Sequence, residues 1–255
     1  MKSKIIILLS VALAFYLSSC SSDNNSTNPT PTGDYYKLAA NNYWVYETKD
    51  TDPESEEVVT YQDSTVIEKQ EIKEGKNAFK IKTYTNGEDG DSEMYQYAEN
   101  GVLYTLLNDF LPDDGLIPIP DDQFENKWIK IADPNATKWD LITLNLSDIP
   151  LDFEGVQLNL SGSLKIEGTR GDKVIINVMG KDYTAQKYTI NSIVEASTSF
   201  SGVPFTIKTT IPTNFYYADG LGLVKRETIS TEISFLAFSF MTPSSVSTLI
   251  RHNIK

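Results

Sequence analysis

The stretch Ala78-Phe79-Lys80-Ile81-Lys82-Thr83-Tyr84 alternates between apolar and polar side chains. A period of two puts alternate side chains on opposite faces of an extended chain, so one face can be buried while the other stays wet. The same swap recurs in Thr65-Val66-Ile67-Glu68-Lys69, Ser163-Leu164-Lys165-Ile166-Glu167, Lys187-Tyr188-Thr189-Ile190-Asn191, Phe205-Thr206-Ile207-Lys208-Thr209 and Thr228-Ile229-Ser230-Thr231-Glu232-Ile233. These read as half-buried strands of antiparallel sheet. Between them stand Glu74-Gly75, Asn86-Gly87, Glu99-Asn100-Gly101, Gly168-Thr169-Arg170-Gly171-Asp172 and Met179-Gly180, residues that suit tight hairpin turns. Helical periodicity is nearly absent beyond the first 19 residues. The expected fold class is all-β, a curved antiparallel sheet forming a half-barrel or a barrel-like meander, with closure left open.

Three segments interrupt the alternation. Leu107 to Pro120 carries Pro112, Pro118 and Pro120 with Asp113-Asp114-Gly115, and proline donates no ladder hydrogen bond. Asp133-Pro134-Asn135 and Asp148-Ile149-Pro150 are the other two. All three are expected to cross the sheet or cap one end. Trp128 and Trp139 flank the second segment. They either plug the end of the curved sheet or line a recognition surface, and on the latter reading they are the candidate ligand-binding residues.

Outward from this domain, the N-terminus begins with the basic Met1-Lys2-Ser3-Lys4, continues with an apolar run from Ile5 to Leu17 and ends in Leu17-Ser18-Ser19-Cys20. That order resembles the signal peptide and lipobox of bacterial lipoproteins, in which the cysteine is acylated, with palmitate for example, and becomes the mature N-terminus. The run is short for a spanning helix, which needs about 20 apolar residues. Cys20 is the sole cysteine, so no internal disulfide competes for it. Ser21 to Gly33 has no aliphatic or aromatic residue and reads as a tether spanning roughly 20 Å. The expected organisation is a signal peptide at 1–19, a lipidated cysteine and tether at 20–34, and a single β domain at 35–255. Ser21, rather than aspartate, after the cysteine points by analogy to the outer membrane, with the periplasmic or external face undecided.

Removing residues 1–19 takes away Lys2 and Lys4 and lowers the formal charge from -13 to -15. Such a surface repels phosphate backbones and anionic headgroups, which excludes nucleic acid as a partner and leaves the lipid anchor as the membrane attachment.

Catalytic signatures are sparse. Gly220-Leu221-Gly222 lacks a third glycine and precedes a strand, so it offers no phosphate site. His252 is the only histidine, which removes ordinary triads and histidine-rich zinc sites. No metal, cofactor or catalytic residue is assigned. A pair of carboxylates among the 35 acidic residues remains the one route to a glycosidase. Asn86-Gly87-Glu88-Asp89-Gly90-Asp91 has oxygen ligands but not the spacing of a calcium loop. Asp63-Ser64-Thr65 matches a pattern of bacterial O-glycosylation, which makes Ser64 a candidate acceptor, and Asn135-Ala136-Thr137 fits a sequon.

Two stretches carry a family resemblance. Tyr35-Tyr36-Lys37-Leu38-Ala39-Ala40-Asn41-Asn42-Tyr43-Trp44-Val45-Tyr46 is similar to the Y-x-P-L-x-x-G-N-x-W-x-Y opening of uncharacterised secreted lipoproteins of Bacteroidetes, with Lys37 where proline is usual. Phe215-Tyr216-Tyr217-Ala218-Asp219-Gly220-Leu221-Gly222-Leu223-Val224-Lys225 resembles their Y-A-x-G-V-G-L-V-K closing segment. The resemblance implies the compartment and an all-β fold and transfers no catalytic residue. The expected function is a non-catalytic envelope lipoprotein that binds an apolar ligand in its concavity, or another envelope component such as a glycan. A carbohydrate-active enzyme and a purely structural surface protein are the alternatives. A deep apolar pocket, two facing acids in an open groove, or a filled barrel would distinguish the three.

Overall fold

The computed structural model describes residues 35–87, 92–110, 126–153, 156–200, 203–235 and 238–255. The expected signal peptide, Cys20 and the expected tether lie outside these, as do most of the segment at 107–120 and the acidic turn beyond Gly87.

The alternating stretches are strands joined by the turns the sequence supplies. At three hairpins, Glu74-Gly75, Asn100-Gly101 and Met179-Gly180, both central residues have positive φ (43° and 71°, 54° and 76°, 52° and 76°). That is the turn whose twist matches two antiparallel strands with a two-residue loop. β1 (Tyr43–Thr51), β2 (Val58–Lys73), β3 (Lys76–Thr85), β4 (Ser92–Glu99), β5 (Val102–Leu106) and β6 (Trp128–Ala132) form a first meander, with one helical turn, α1 (Leu107–Phe110), after β5. β7 (Lys138–Phe153), β8 (Val156–Val178), β9 (Lys181–Phe200), β10 (Val203–Ala218) and β11 (Gly222–Thr228) form a second. A small hairpin, β12 (Glu232–Phe235) and β13 (Phe238–Met241), leads to β14 (Ser244–Asn253).

β14 lies between β11 and β1 and joins the meanders into a 12-stranded sheet of order β6-β5-β4-β3-β2-β1-β14-β11-β10-β9-β8-β7. Its two edges, β6 and β7, are consecutive in sequence. Residues 133–137 connect them and reach about 20 Å at most, so the sheet must curl until its edges approach. The result is a nearly closed antiparallel barrel. Side chains and connecting backbone hold the seam: Trp139 Nε1 donates to the Lys130 carbonyl at 2.9 Å, the Arg170 guanidinium donates to the Pro134 carbonyl, and the Arg170 amide donates to Thr137 at 3.0 Å.

Three local expectations are corrected. Gly168 to Asp172 is no turn but lies within β8, with a register shift between Arg170 and Lys173. Gly168 faces Trp139 across the β7–β8 ladder, and a Cβ there would stand 2.1 Å from the indole. The glycine is therefore a seat for a ring, not a chain reversal. Asp148-Ile149-Pro150 likewise stays within β7, as a bulge between Leu146 and Ile149 with Asp148 at φ 52°. β7 is an edge strand, where a missing N–H is tolerated. Thr228 to Ile233 is broken, since β11 ends at Thr228 and β12 begins at Glu232. Ile233 is buried while Ile229 is exposed.

Aromatic rings fill the interior. Tyr36 packs edge-on to Tyr217 (5.3 Å), Tyr217 to Tyr188 (6.0 Å), and Tyr188 to Trp139 (6.3 Å), within one cluster that includes Leu103, Ile131, Leu164 and Ile190. A second cluster holds Trp44, Tyr46, Ile67, Ile81 and Leu249. Val178, at the tip of the β8–β9 hairpin, is buried in that same cluster, so the hairpin overhangs and covers one end. The Trp44 indole donates to Leu221 O at 2.6 Å and the Tyr46 hydroxyl to Leu223 O at 3.0 Å, where the pairing of β11 with β14 has stopped at Lys225.

Trp139→Ala is expected to cost about 3–5 kcal/mol, and Gly168→Ala about 1–3 kcal/mol through overpacking against the indole. In a denaturant double-mutant cycle the glycine penalty should largely vanish once the indole is gone. An equal penalty in both backgrounds would refute the seat.

Candidate functional site

Two surfaces combine functional side chains. The first is on the concave face. Tyr46 and Thr48 share parity on β1, and Tyr46 is in the core, so Thr48 also points inward. From it a side-chain belt crosses five strands. Thr48 Oγ1 donates to Asp63 Oδ2 on β2 at 2.8 Å and lies 2.9 Å from Ser247 Oγ on β14. Thr85 on β3 donates to the other Asp63 oxygen at 3.0 Å, and Arg226 Nη2 on β11 reaches Ser247 Oγ at 3.5 Å. Tyr61, opposite Thr48, donates to Asp50 Oδ2 at 2.8 Å. Burial pushes the Tyr61 phenol up, and its bond to Asp50 pushes it further, against the opposing pull of the Arg226 guanidinium. Arg226 acts in the same downward sense on Tyr46 and Tyr217, whose phenols burial raises. A cation thus stands among three phenols and two carboxylates. Such a set is chemically suited to charge and hydrogen-bond contacts and includes no cysteine or histidine nucleophile.

The second surface is on the outer face of β4, β5 and β6. Tyr97 and Tyr104 stack at 4.6 Å with rings nearly parallel, and Trp128 meets Tyr97 edge-on at 4.8 Å. Lys76 Nζ sits 5.1 Å above the Tyr97 ring, and the Trp128 indole donates to Glu74 O at 3.3 Å. Burial, then Tyr104 and Glu99, push the Tyr97 phenol up to about 12. Tyr104 and Trp128 are half-buried, which leaves ring surface beside a polar rim.

The structure does not bring the two candidate tryptophans together. Trp139 is inside, 6% exposed, its surface given to Gly168, Tyr188 and the Lys130 carbonyl. Trp128 is outside, in the aromatic strip. Ser64 is a half-buried residue within β2, opposite Val45 and Tyr84, while the adjacent Asp63 carboxylate turns to the concave belt. His252 is half-buried opposite Trp44, and its Nδ1 has no hydrogen-bond partner among the described residues. A cavity of about 250 Å³ lies between the leading segment from Tyr36 to Asn42 and Phe79, Ala98 and Lys255. Among the described residues no group of three His, Cys, Asp or Glu side chains is placed to hold a metal.

Sequence reasoning missed Arg226, Tyr61 and Asp50. A signal was present for Arg226: with Val224 and Thr228 it forms one parity of an alternating strand, which aims a guanidinium at the core side.

No protein-family model matches the chain, and no curated protein does. Two solved structures are similar to it, each at 12% identity and each covering 87% of this chain and 99% of their own. They are a putative lipoprotein from Parabacteroides distasonis ATCC 8503, with a TM-score of 0.46, and a likewise described exported protein with a YmcC-like fold from Bacteroides fragilis NCTC 9343, with a TM-score of 0.40.

Below the belt, Glu227 anchors an outer network. It accepts from Lys225, from the Tyr216 hydroxyl at 2.5 Å and from Asn214 at 3.3 Å. Burial pushes its carboxyl up, but the three donors to its charged form outweigh that and hold it below the ordinary range. A carboxyl depressed by folding stabilises the protein above its unfolded value, about 4.3, and the contribution is lost as pH falls through the folded value. Glu227→Gln should lower Tm at pH 7, and its gap to wild type should close below about pH 4. A gap that ignores pH would show that the network's charge is irrelevant.

Proposed function

We propose that the chain is a non-catalytic lipoprotein of the outer membrane, held by acyl groups on Cys20, which recognises a glycan component of the envelope through Tyr104 and Trp128, both backed by the buried Tyr97 ring. One observation carries this reading. The chain's own rings occupy the concavity from Tyr36 through Tyr217 and Tyr188 to Trp139, so the place expected for an apolar ligand is taken, and partly exposed aromatic surface is offered outside instead. Aromatic faces stack on the C–H faces of sugars at low entropic cost, and Lys76 with Glu99, 3.4 Å apart, supplies polar groups at the rim. The filled interior also suits a structural protein with no ligand, and the titration below separates the two.

Trp44 and Trp139 are 5% and 6% exposed, so Trp128 is the indole able to report a surface ligand. Oligosaccharides released from the envelope should shift the emission of wild type and leave Trp128→Phe unchanged. A shift with lipid extracts alone, or one that survives the substitution, would overturn the glycan reading. Glycan turnover abolished by a single Asp or Glu substitution would replace it with an enzyme. For the anchor, Cys20→Ser should yield an uncleaved or soluble precursor; normal processing and membrane fractionation of that variant would defeat the localisation.

A further inference from the structure

We infer that the concave belt is a binding site for a small carboxylate-bearing solute that also carries hydroxyl or ammonium donors, with Arg226 clamping the carboxylate and Asp50 accepting from the donor. This site uses none of the outer strip and stands even if that strip binds nothing.

Arg226 is the first observation. It lies on the inward parity, bonded to Ser247, which is buried, as is Thr48 beyond it. Yet Arg226 itself is exposed, so a solute can reach its guanidinium from solvent. Among the described residues no carboxylate lies within ion-pair distance of its guanidinium, and its one hydrogen bond, at 3.5 Å, is long. A planar fork with open donors suits a carboxylate better than any other small group.

Asp50 is the second. One oxygen accepts from Tyr61, whereas Oδ1 is buried and receives no hydrogen bond from the described residues. A buried acceptor without a donor is costly, and a ligand hydroxyl or ammonium would satisfy it.

The spacing fits both. Arg226 pairs with Ser247 and Asp50 with Ser245, so the two residues flank β14 and are offset by two positions. With strands about 4.8 Å apart and a rise of about 3.4 Å per residue, their backbones are about 12 Å apart on the diagonal. Two side chains converging inward across that diagonal can both reach one small molecule. The charges select among anions: each Asp63 oxygen already accepts a hydrogen bond, from Thr48 and from Thr85, and with Asp50 this residue places negative charge near the clamp. A doubly charged oxyanion is repelled, while a monocarboxylate with donors is accepted.

The test is calorimetric titration of the full lipidated protein in detergent with sodium D-glucuronate, L-serine, D-glucose and inorganic phosphate. Glucuronate, serine or both should bind, glucuronate offering hydroxyl donors alone and serine an ammonium beside its hydroxyl. Glucose and phosphate should bind at least about tenfold more weakly, and Arg226→Gln should weaken the carboxylate by about tenfold or more. Asp50→Asn should weaken serine more than glucuronate, since only serine loses a charge partner. Trp128→Phe should leave every value unchanged. The inference fails if neither carboxylate binds, if phosphate matches them, or if Arg226→Gln binds as wild type does.

Discussion

An indole N–H reaching a backbone carbonyl across a break in the hydrogen-bond ladder is the contact on which this barrel depends. Among the described residues, two such breaks are bridged in this way. At the seam, β6 and β7 meet without a continuous ladder, and Trp139 crosses to the Lys130 carbonyl. Beyond Lys225, β11 leaves β14, and Trp44 crosses to the Leu221 carbonyl. Each ring also seals the gap with apolar area, which a hydroxyl donor of smaller size could not do. The third tryptophan, Trp128, repeats the device outside by bonding the Glu74 carbonyl at the β2–β3 turn. Sheet edges are ordinarily a liability, and here the two edges guard each other.

Closing the sheet this way consumes the interior. The rings that hold the seam are continuous with those that seat the leading segment, because Trp139 touches Tyr188, Tyr188 touches Tyr217 and Tyr217 touches Tyr36. A barrel packed to that degree behaves as a core and not as a container. On the readings proposed above, recognition falls to the places where packing stops, namely the outer aromatic strip and the level of the concavity occupied by Arg226, Tyr61 and Asp50. Both surfaces are built from strand residues, which position side chains more rigidly than loops do.

Much of this was legible in the chain. Alternation located the strands because burial on one face leaves a period of two, and Asn-Gly, Glu-Gly and Met-Gly marked hairpins because two successive positive φ angles favour glycine. Gly168 to Asp172 misled because its composition is that of a turn, whereas the reason for the glycine sits 29 positions away in Trp139. Pro150 misled for a related reason: proline excludes a central strand but not an edge, and edge status follows from the whole sheet order. The proposed Arg226 site was hidden because its members come from β1, β2, β11 and β14, which become neighbours only when the terminal strands pair. Trp128 and Trp139 read alike in sequence and lie on opposite faces.

That terminal pairing has a consequence for the order of assembly. Apart from β14 with its two neighbours, each strand of the large sheet pairs with one adjacent in sequence, so each meander can zip up locally and quickly. The β1–β14 ladder joins residues about as far apart as the domain allows, from Tyr43 with Asn253 to Thr51 with Ser244. A chain crossing a membrane N-terminus first would therefore display β1 as a raw edge throughout the emergence of everything between. Val58 and Val59, exposed on the neighbouring β2, would add apolar surface to that unfinished flank. Holdase chaperones that grip extended, apolar chain would find their longest-lived target there, and their grip would end when the final strand arrives.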